Sequence, residues 1–219
     1  MDQPTARTAL EEGRPRRADA LRNRARILDA AGEVFGEAGL LVPMSEVARR
    51  AGVGIATLAR NFPTRDALIA ETFGPSMTAY ADAVEVALRD PDPWHGFCDY
   101  VETVCRMQAE VRGFTHVLTT SFPAAEEFEA ERGRAYRGFV RLVKAAKTAG
   151  RLRPDFSPHD LPVILMANAG VVGATRDTAP TAWRRHVALV LQACSADHTR
   201  PLPAPPPPGQ ILQALRGAH

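Results

Sequence analysis

The run from Arg26 to Leu68, RILDAAGEVFGEAGLLVPMSEVARRAGVGIATLARNFPTRDAL, constrains this chain more than any other part. Its apolar residues recur with a helical period, and glycine and proline punctuate them. Ile27, Ala31, Val34, Phe35 and Ala38 fall on one face of a helix. Gly39 stops that helix, since glycine takes the left-handed conformation that closes a helix end. Pro43 stands where a second helix begins, a place where a missing N–H costs nothing. Val47, Ala48 and Ala51 supply the inner face of that second helix, and Gly52 and Gly54 bracket a tight turn. Leu58 and Phe62 then close a small core against Val47 and Phe35. Pro63 ends the third helix. Thr64 is the expected N-cap of a fourth, with Asp66 in its first turn. A short helix, a glycine turn and a second short helix make the unit that sets its second helix into a DNA major groove.

The rest of the chain narrows the function classes. With 219 residues and 45% hydrophobic content, the chain can build a real core. The absence of an uninterrupted apolar run of about 18 residues predicts no membrane partner. MDQPTARTALEEGRPRR lacks the apolar stretch of a secretion signal, so a cytoplasmic location is expected. Cys98, Cys105 and Cys194 are odd in number and lack metal-ligand spacing, which suits reduced thiols. The motifs of common hydrolases, nucleotide-binding enzymes and zinc proteases are missing, and the histidines are scattered. We therefore expect no catalytic residue, no cofactor and no metal ligand. Net charge is only +2, but Arg14, Arg16, Arg17, Arg22, Arg24 and Arg26 cluster around a single acid, Asp19. Such a cluster suits phosphate contact. For Arg14 to Arg17 a solvated tail is an equal alternative.

The pieces ARILDAAGEVFGEAG, EVARRAGVGIATL and NFPTRDAL occur in the order and at the spacing of a known head. The segment resembles the TetR family of bacterial transcriptional regulators, strongly over about residues 20–70. The remainder agrees in length and helical character. The resemblance implies an all-α chain. It would have a basic arm at 1–19, a three-helix DNA-binding head at 20–66, a helical effector-binding and dimerisation domain at 67–196, and a Pro-rich tail at 197–219. It implies a homodimeric repressor on double-stranded operator DNA, released by a small apolar or amphipathic effector. A ligand-independent regulator or an activator is the alternative, and a small enzyme stands well behind both.

Within the head, Gly54 takes the N-cap slot of the third helix. Leu58 points inward, so Ile55, Ala56, Ala59 and Arg60 face the groove. Arg60 suits the paired contact to guanine N7 and O6, and Ile55 and Ala56 suit a thymine methyl. Thr57, Asn61 and Arg65 match family positions that contact phosphates and fix register. Arg22 and Pro43 complete the candidate DNA-binding set. The chain departs from the family at Ala59, where an aromatic, usually tyrosine, is common. Asn61 replaces the usual histidine and Arg65 the usual lysine.

Past Leu68, Phe73, Met77, Tyr80, Val84 and Leu88 keep a helical spacing, but Gly74-Pro75 should kink or split that helix. In the family this helix carries the signal to the head, so the kink is either a hinge or a local irregularity. Further helices are expected over Trp94–Glu110, Phe114–Ser121, Ala124–Ala149, Pro158–Thr175 and Pro180–Ala196. The third of these should bury Phe128, Tyr136, Phe139, Val140 and Val143 and end at Gly150. Trp94, Phe97, Met107, Phe114, His116, Phe122, Met166 and Asn168 are candidate lining for a ligand cavity. Ordinary core packing is the competing reading of each. The resemblance pairs the last two helices across a two-fold axis. Ala169, Gly173, Val187, Val190 and Leu191 suit that interface, with intra-chain core as the alternative. The proline-rich tail should be extended and mobile, with 210–215 as one or two helical turns that dock back.

Overall fold

Local stop signals set the borders of the head. The computed structural model describes residues 13–120, 122–197, 200–205, 207 and 209–210. Helices α1 (Gly13–Ala38), α2 (Met44–Ala51) and α3 (Ile55–Asn61) form the head. Gly39, at φ +79°, ends α1 and donates its N–H to Phe35 O at 3.1 Å. Gly52, at φ +64°, ends α2. Its N–H reaches Arg49 O at 3.1 Å and that of Val53 reaches Ala48 O at 3.0 Å, which satisfies two orphan carbonyls of the last turn. Ile27, Ala31, Val34, Phe35, Val47, Ala48, Ala51, Leu58 and Phe62 are all buried. Ala38 is exposed instead of buried, because the chain reverses at Gly39 and Leu40 fills the core. Residues 13–19, expected in an arm, are the first turns of α1, while 1–12 lie outside the described residues.

The body begins with α4 (Arg65–Ala87), whose N-cap Thr64 accepts the Ala67 N–H at 3.1 Å on Oγ1. The expected split at Gly74-Pro75 does not occur, and α4 runs through Pro75. Proline inside a helix costs about 3 kcal/mol. Phe73, Met77, Tyr80, Ala81 and Val84 are buried on one face of α4, and their packing carries the helix across the fault.

The other elements are α5 (Pro93–Glu110), α6 (Phe114–Thr119), α7 (Glu126–Thr148), α8 (Asp160–Thr175) and α9 (Ala182–Cys194). Three of them start two residues later than expected. At α8, Asp160 Oδ2 turns back to accept the Ser157 N–H at 2.7 Å and so sets the border. Ser121 lies outside the described residues.

Helix α4 packs chiefly on α7 and α5, and α5 also contacts α8 and α9. A Cβ on Gly138 of α7 would lie 2.5 Å from Val84 Cγ1, so glycine permits the close α4–α7 approach. Phe97 stacks on Phe139 at 6.0 Å and meets Phe156 edge-on at 5.3 Å, which makes an aromatic centre. Tyr136 and Val140, expected inside, are 48% and 38% exposed, because α7 turns Ala135, Phe139, Leu142, Val143 and Ala146 inward.

The start of the tail is pinned to the body. Arg153 pairs with Asp155 at 2.5 Å and donates to Arg200 O at 2.8 Å, and Asp155 Oδ2 accepts the Leu202 N–H at 2.8 Å. Residues 211–219, and with them most of the expected docking helix, lie outside the described residues. Among the described residues no helix is long and apolar enough to cross a membrane.

Candidate nucleic-acid interface

Helix α3 is sealed on one side and open on the other. Leu58 is 1% exposed, whereas Ile55 is 53% exposed and Ala56, Ala59 and Arg60 are exposed beside it. Gly54, with ψ 148°, caps the helix and accepts the Leu58 N–H at 3.1 Å. Thr57, Asn61 and Arg65 are half-buried at the edge of this face. Arg60 lies back on its own helix, with Nε to Ala56 O at 3.3 Å and Nη2 to Thr57 Oγ1 at 3.2 Å. Both contacts are exposed, so exchanging them for a base edge costs little. Asn61 donates Nδ2 to Thr57 O at 2.8 Å. Arg65 Nε is buried without a hydrogen-bond partner among the described residues. Pro43 is exposed at the start of α2, and its carbonyl accepts the Glu46 N–H at 2.9 Å.

The arginine cluster divides into two kinds. Arg22 is exposed and pairs with Asp19 one turn earlier. Arg24 is structural. It grips Glu71 with Nε at 2.8 Å and with Nη2, donates Nη1 to Asn61 O at 3.1 Å, and lies 4.5 Å above the centre of the Phe62 ring. One side chain thus ties α1, α3 and α4 together. Arg26 reaches back to Gly52 O at 3.3 Å. Arg50 ties α2 to α1 through Glu33 at 3.1 Å and Glu37 at 2.9 Å, and its hydrogen bond holds the Glu37 carboxyl below its ordinary range. Sequence offered no signal for these partners, which lie far apart along the chain.

Head and body touch through backbone. A Cβ on Gly36 would overlap Arg112 Cβ and lie 3.1 Å from the Arg112 carbonyl carbon. Gly113, at φ +81°, would place a Cβ 3.0 Å from Phe73 Cζ and 3.3 Å from Gly36 Cα. The turn leading into α6 is therefore pressed against α1.

Two hollows lie on the body. A groove of about 880 Å³ runs between α4 and α7, with Ala67, Ala70, Met77 and Phe128 in its walls and Glu71, Glu127 and Arg134 among its polar groups. A second, of about 440 Å³, lies at the α4–α5 corner. None of the eight candidate lining residues borders either one. Phe97, Met107, Phe114 and Phe122 are core, and half-buried Trp94 stacks on Phe97 at 5.6 Å. Asn168 is buried and donates Nδ2 to Gln108 Oε1 at 2.9 Å and Cys105 O at 3.2 Å. His116 is half-buried and Met166 is 39% exposed.

Of the candidate interface residues, Gly173 is exposed with open space above it, and Ala169, Val190 and Leu191 are half-buried. Val187 is 2% exposed and belongs to the core of its own chain. Val163, Met166 and Leu189 are the large apolar groups that α8 and α9 leave exposed. The histidines, scattered in sequence, are not all isolated in space, for His95 sits between Asp90 and Asp99.

Residues 27–72 match the family model of bacterial regulatory proteins, tetR family. These residues form a TetR-family DNA-binding domain. The chain is a DNA-binding transcriptional regulator of the helix-turn-helix type. In fold it is similar to the TetR family transcriptional regulator PfmR from Thermus thermophilus, with 20% identity and a TM-score of 0.59 over 76% of this chain and 97% of that one. The fatty acid degradation regulator FadR from Bacillus halodurans gives 17% identity and a TM-score of 0.55 over 76% and 97%. A TetR transcriptional regulator from Streptomyces coelicolor is 29% identical over 78% of this chain and 98% of that one, with a TM-score of 0.48. No curated protein matches the sequence.

Proposed function

We propose that this TetR-family regulator is a cytoplasmic, homodimeric repressor whose two heads hold double-stranded operator DNA until a small apolar or amphipathic molecule releases it. The observation that carries the DNA-reading part is the open face of α3, where Ile55, Ala56, Ala59 and Arg60 stand out over buried Leu58. Arg60 pairs with a guanine, and Ile55 and Ala56 meet a thymine methyl. Arg22, Thr57, Asn61, Arg65 and the α2 start at Pro43 lie along the phosphates and fix register. Ala59 removes the hydrogen bond of the family's usual tyrosine, worth about 1–2 kcal/mol.

The outer faces of α8 and α9 support the dimer. Gly170 and Gly173 leave open space for a close neighbour, and exposed Val163, Met166 and Leu189 flank them. The two heads then meet half-sites about 34 Å apart. The backbone contact of Gly36 with Arg112 and Gly113 supports release, because a shift of the turn before α6 must move α1. The groove between α4 and α7 is the seat for the effector. An effector acts only by preferring the DNA-free shape, typically with a coupling of about 1–3 kcal/mol.

The experiment is binding to selected operator DNA over a range of salt. Arg60→Ala costs about 1–3 kcal/mol and relaxes one base pair per half-site, while Arg65→Ala weakens all sequences alike and lowers the salt slope by about one. Equal losses on operator and random DNA for Arg60→Ala overturn its reading role. The tightly packed aromatic centre around Phe97, Phe139 and Phe156 favours a second reading, a regulator with no diffusible effector. A panel of amphipathic compounds in which none raises both thermal stability and operator off-rate selects that reading.

A further inference from the structure

Helix α5 starts so close to the end of α4 that a Cβ on Gly96 would overlap the Ala87 carbonyl oxygen and lie 3.2 Å from Asp90 Cβ. Only glycine permits that approach, and it brings Asp90, in the connecting turn, over the first turn of α5. There Asp90 meets His95 and, one turn further on, Asp99. One imidazole nitrogen and one oxygen of each carboxylate lie within 4.8 Å of one another.

The contacts inside this cluster are unequal. Asp90 is fixed on both sides, with Oδ1 accepting the Asp92 N–H at 2.8 Å and Oδ2 lying 2.6 Å from His95 Nδ1. That short contact is the one a proton on Nδ1 makes, and with the imidazole neutral the lone pair then lies on Nε2. Nε2 in turn faces Asp99 Oδ2 at 3.6 Å. With the ring neutral, two acceptors face each other beyond hydrogen-bond reach, and with the ring protonated the same two groups form an i,i+4 ion pair. Their separation is close to the span of two ligand atoms across a cation with bonds of about 2.0–2.2 Å. Among the described residues, the ion pairs of Asp90 and Asp99 are with His95. Arg106 borders the same hollow, but it pairs with Glu110 at 3.3 Å. Glu102 adds a further carboxylate to that wall.

We propose that the α4–α5 corner binds a divalent transition cation of the zinc type, with His95 Nε2 and the Asp99 carboxylate as ligands at i and i+4 of α5. Asp90 is the positioning residue: it holds Nδ1–H and so aims the imidazole, as carboxylates behind metal-bound histidines do. Mixed nitrogen and oxygen donors suit zinc, cobalt or nickel better than calcium. The cation would join the turn that leaves α4 to the first two turns of α5.

Calorimetric titration of the chelator-stripped full chain with zinc chloride tests the site, with cobalt(II) absorbance as a second probe. The expected result is zinc uptake that His95→Ala and Asp99→Asn each reduce by one equivalent. Asp90→Asn should weaken that equivalent by about tenfold. Zinc should raise the melting temperature of the wild type more than that of either ligand variant. The His95 and Asp99 side chains are 61% and 60% exposed, so both variants should keep the helical spectrum of the parent. Zinc isotherms that are the same in wild type and His95→Ala overturn the proposal. So does an Asp99→Asn variant that binds as the parent does, or an absence of uptake at millimolar zinc.

Discussion

Gly32 and Gly36 lie one turn apart on α1, and alanine at the two positions should give opposite results. In a helix interior alanine is favoured over glycine by about 1 kcal/mol. A Cβ on Gly32 meets Thr72 Cγ2 at 3.8 Å, an ordinary contact, so Gly32→Ala should stabilise the protein by up to that amount. At Gly36 the new carbon overlaps Arg112 Cβ and lies 3.1 Å and 3.3 Å from the Arg112 carbonyl carbon and Cα. Carbon atoms rest at about 3.5–4.0 Å, and rotating a side chain moves none of these three atoms. Helix α1 must therefore separate from the turn before α6 by about 1 Å, and overpacking of this kind costs about 1–3 kcal/mol. The helix-propensity gain is common to both variants, so the difference between them isolates the clash. Urea unfolding should place Gly36→Ala about 1–3 kcal/mol below Gly32→Ala with unchanged m-values. The same wedge lies between head and body, so operator affinity should respond to Gly36→Ala and not to Gly32→Ala. Equal stabilities within about 0.5 kcal/mol would refute the reasoning.

Arg24→Gln should lower stability by about 1–2 kcal/mol through loss of the Asn61 carbonyl, Glu71 and Phe62 contacts, yet leave the salt slope of DNA binding unchanged. Arg22→Gln should do the reverse, and a slope that falls by about one for Arg24→Gln would make it a phosphate contact. Burial pushes the Cys98 and Cys105 thiols up to about 12 and Cys194 up to about 11, so all three stay neutral thiols at ordinary pH. Labelling by a disulfide reagent at about pH 8 should be at least about a hundredfold slower in the native chain than in the unfolded one, and a fast native thiol would contradict this. The Arg153 guanidinium and the Leu202 N–H hold the Asp155 carboxyl far below its ordinary range. The clamp on the tail is then present at neutral pH and is lost only in strong acid, as pH falls through that lowered value. Proteolysis between residues 197 and 202 should stay flat from about pH 8 to about pH 5 and rise in Asp155→Asn. A rise in the parent over that range would show that the clamp does not hold the tail.

The head was legible in the sequence because its borders are local events. Gly39 and Gly52 adopt positive φ, Thr64 caps α4, and Leu58 and Phe62 fall on the inner face by spacing alone. Each depends on steric and hydrogen-bond rules that reach only about one helical turn. The same reach explains the misses. Pro75 argues locally for a broken helix, and only the burial of Phe73 and Met77 against other elements carries α4 through it. Helix α8 is apolar on nearly all sides, so its period could not separate the face holding Leu165 from the face exposing Val163 and Met166. Aromatic residues between Trp94 and Phe122 read equally well as cavity wall or as core, and packing against Phe139 and Phe156 put Phe97 in the core.

Sequence by itself determined an all-helical chain with a helix-turn-helix head and an exposed third helix. Tertiary structure decided what each long polar side chain is for. Arg22 and Arg24 are two residues apart in one basic run, yet the fold leaves Arg22 at the surface and commits Arg24 to Glu71, Asn61 and Phe62. In the same way it joins Asp90 across a turn to His95 and Asp99. The physical reason is reach. A backbone torsion answers to its immediate neighbours, whereas a charge answers to whatever partner the packed helices bring within a few ångströms, however distant along the chain.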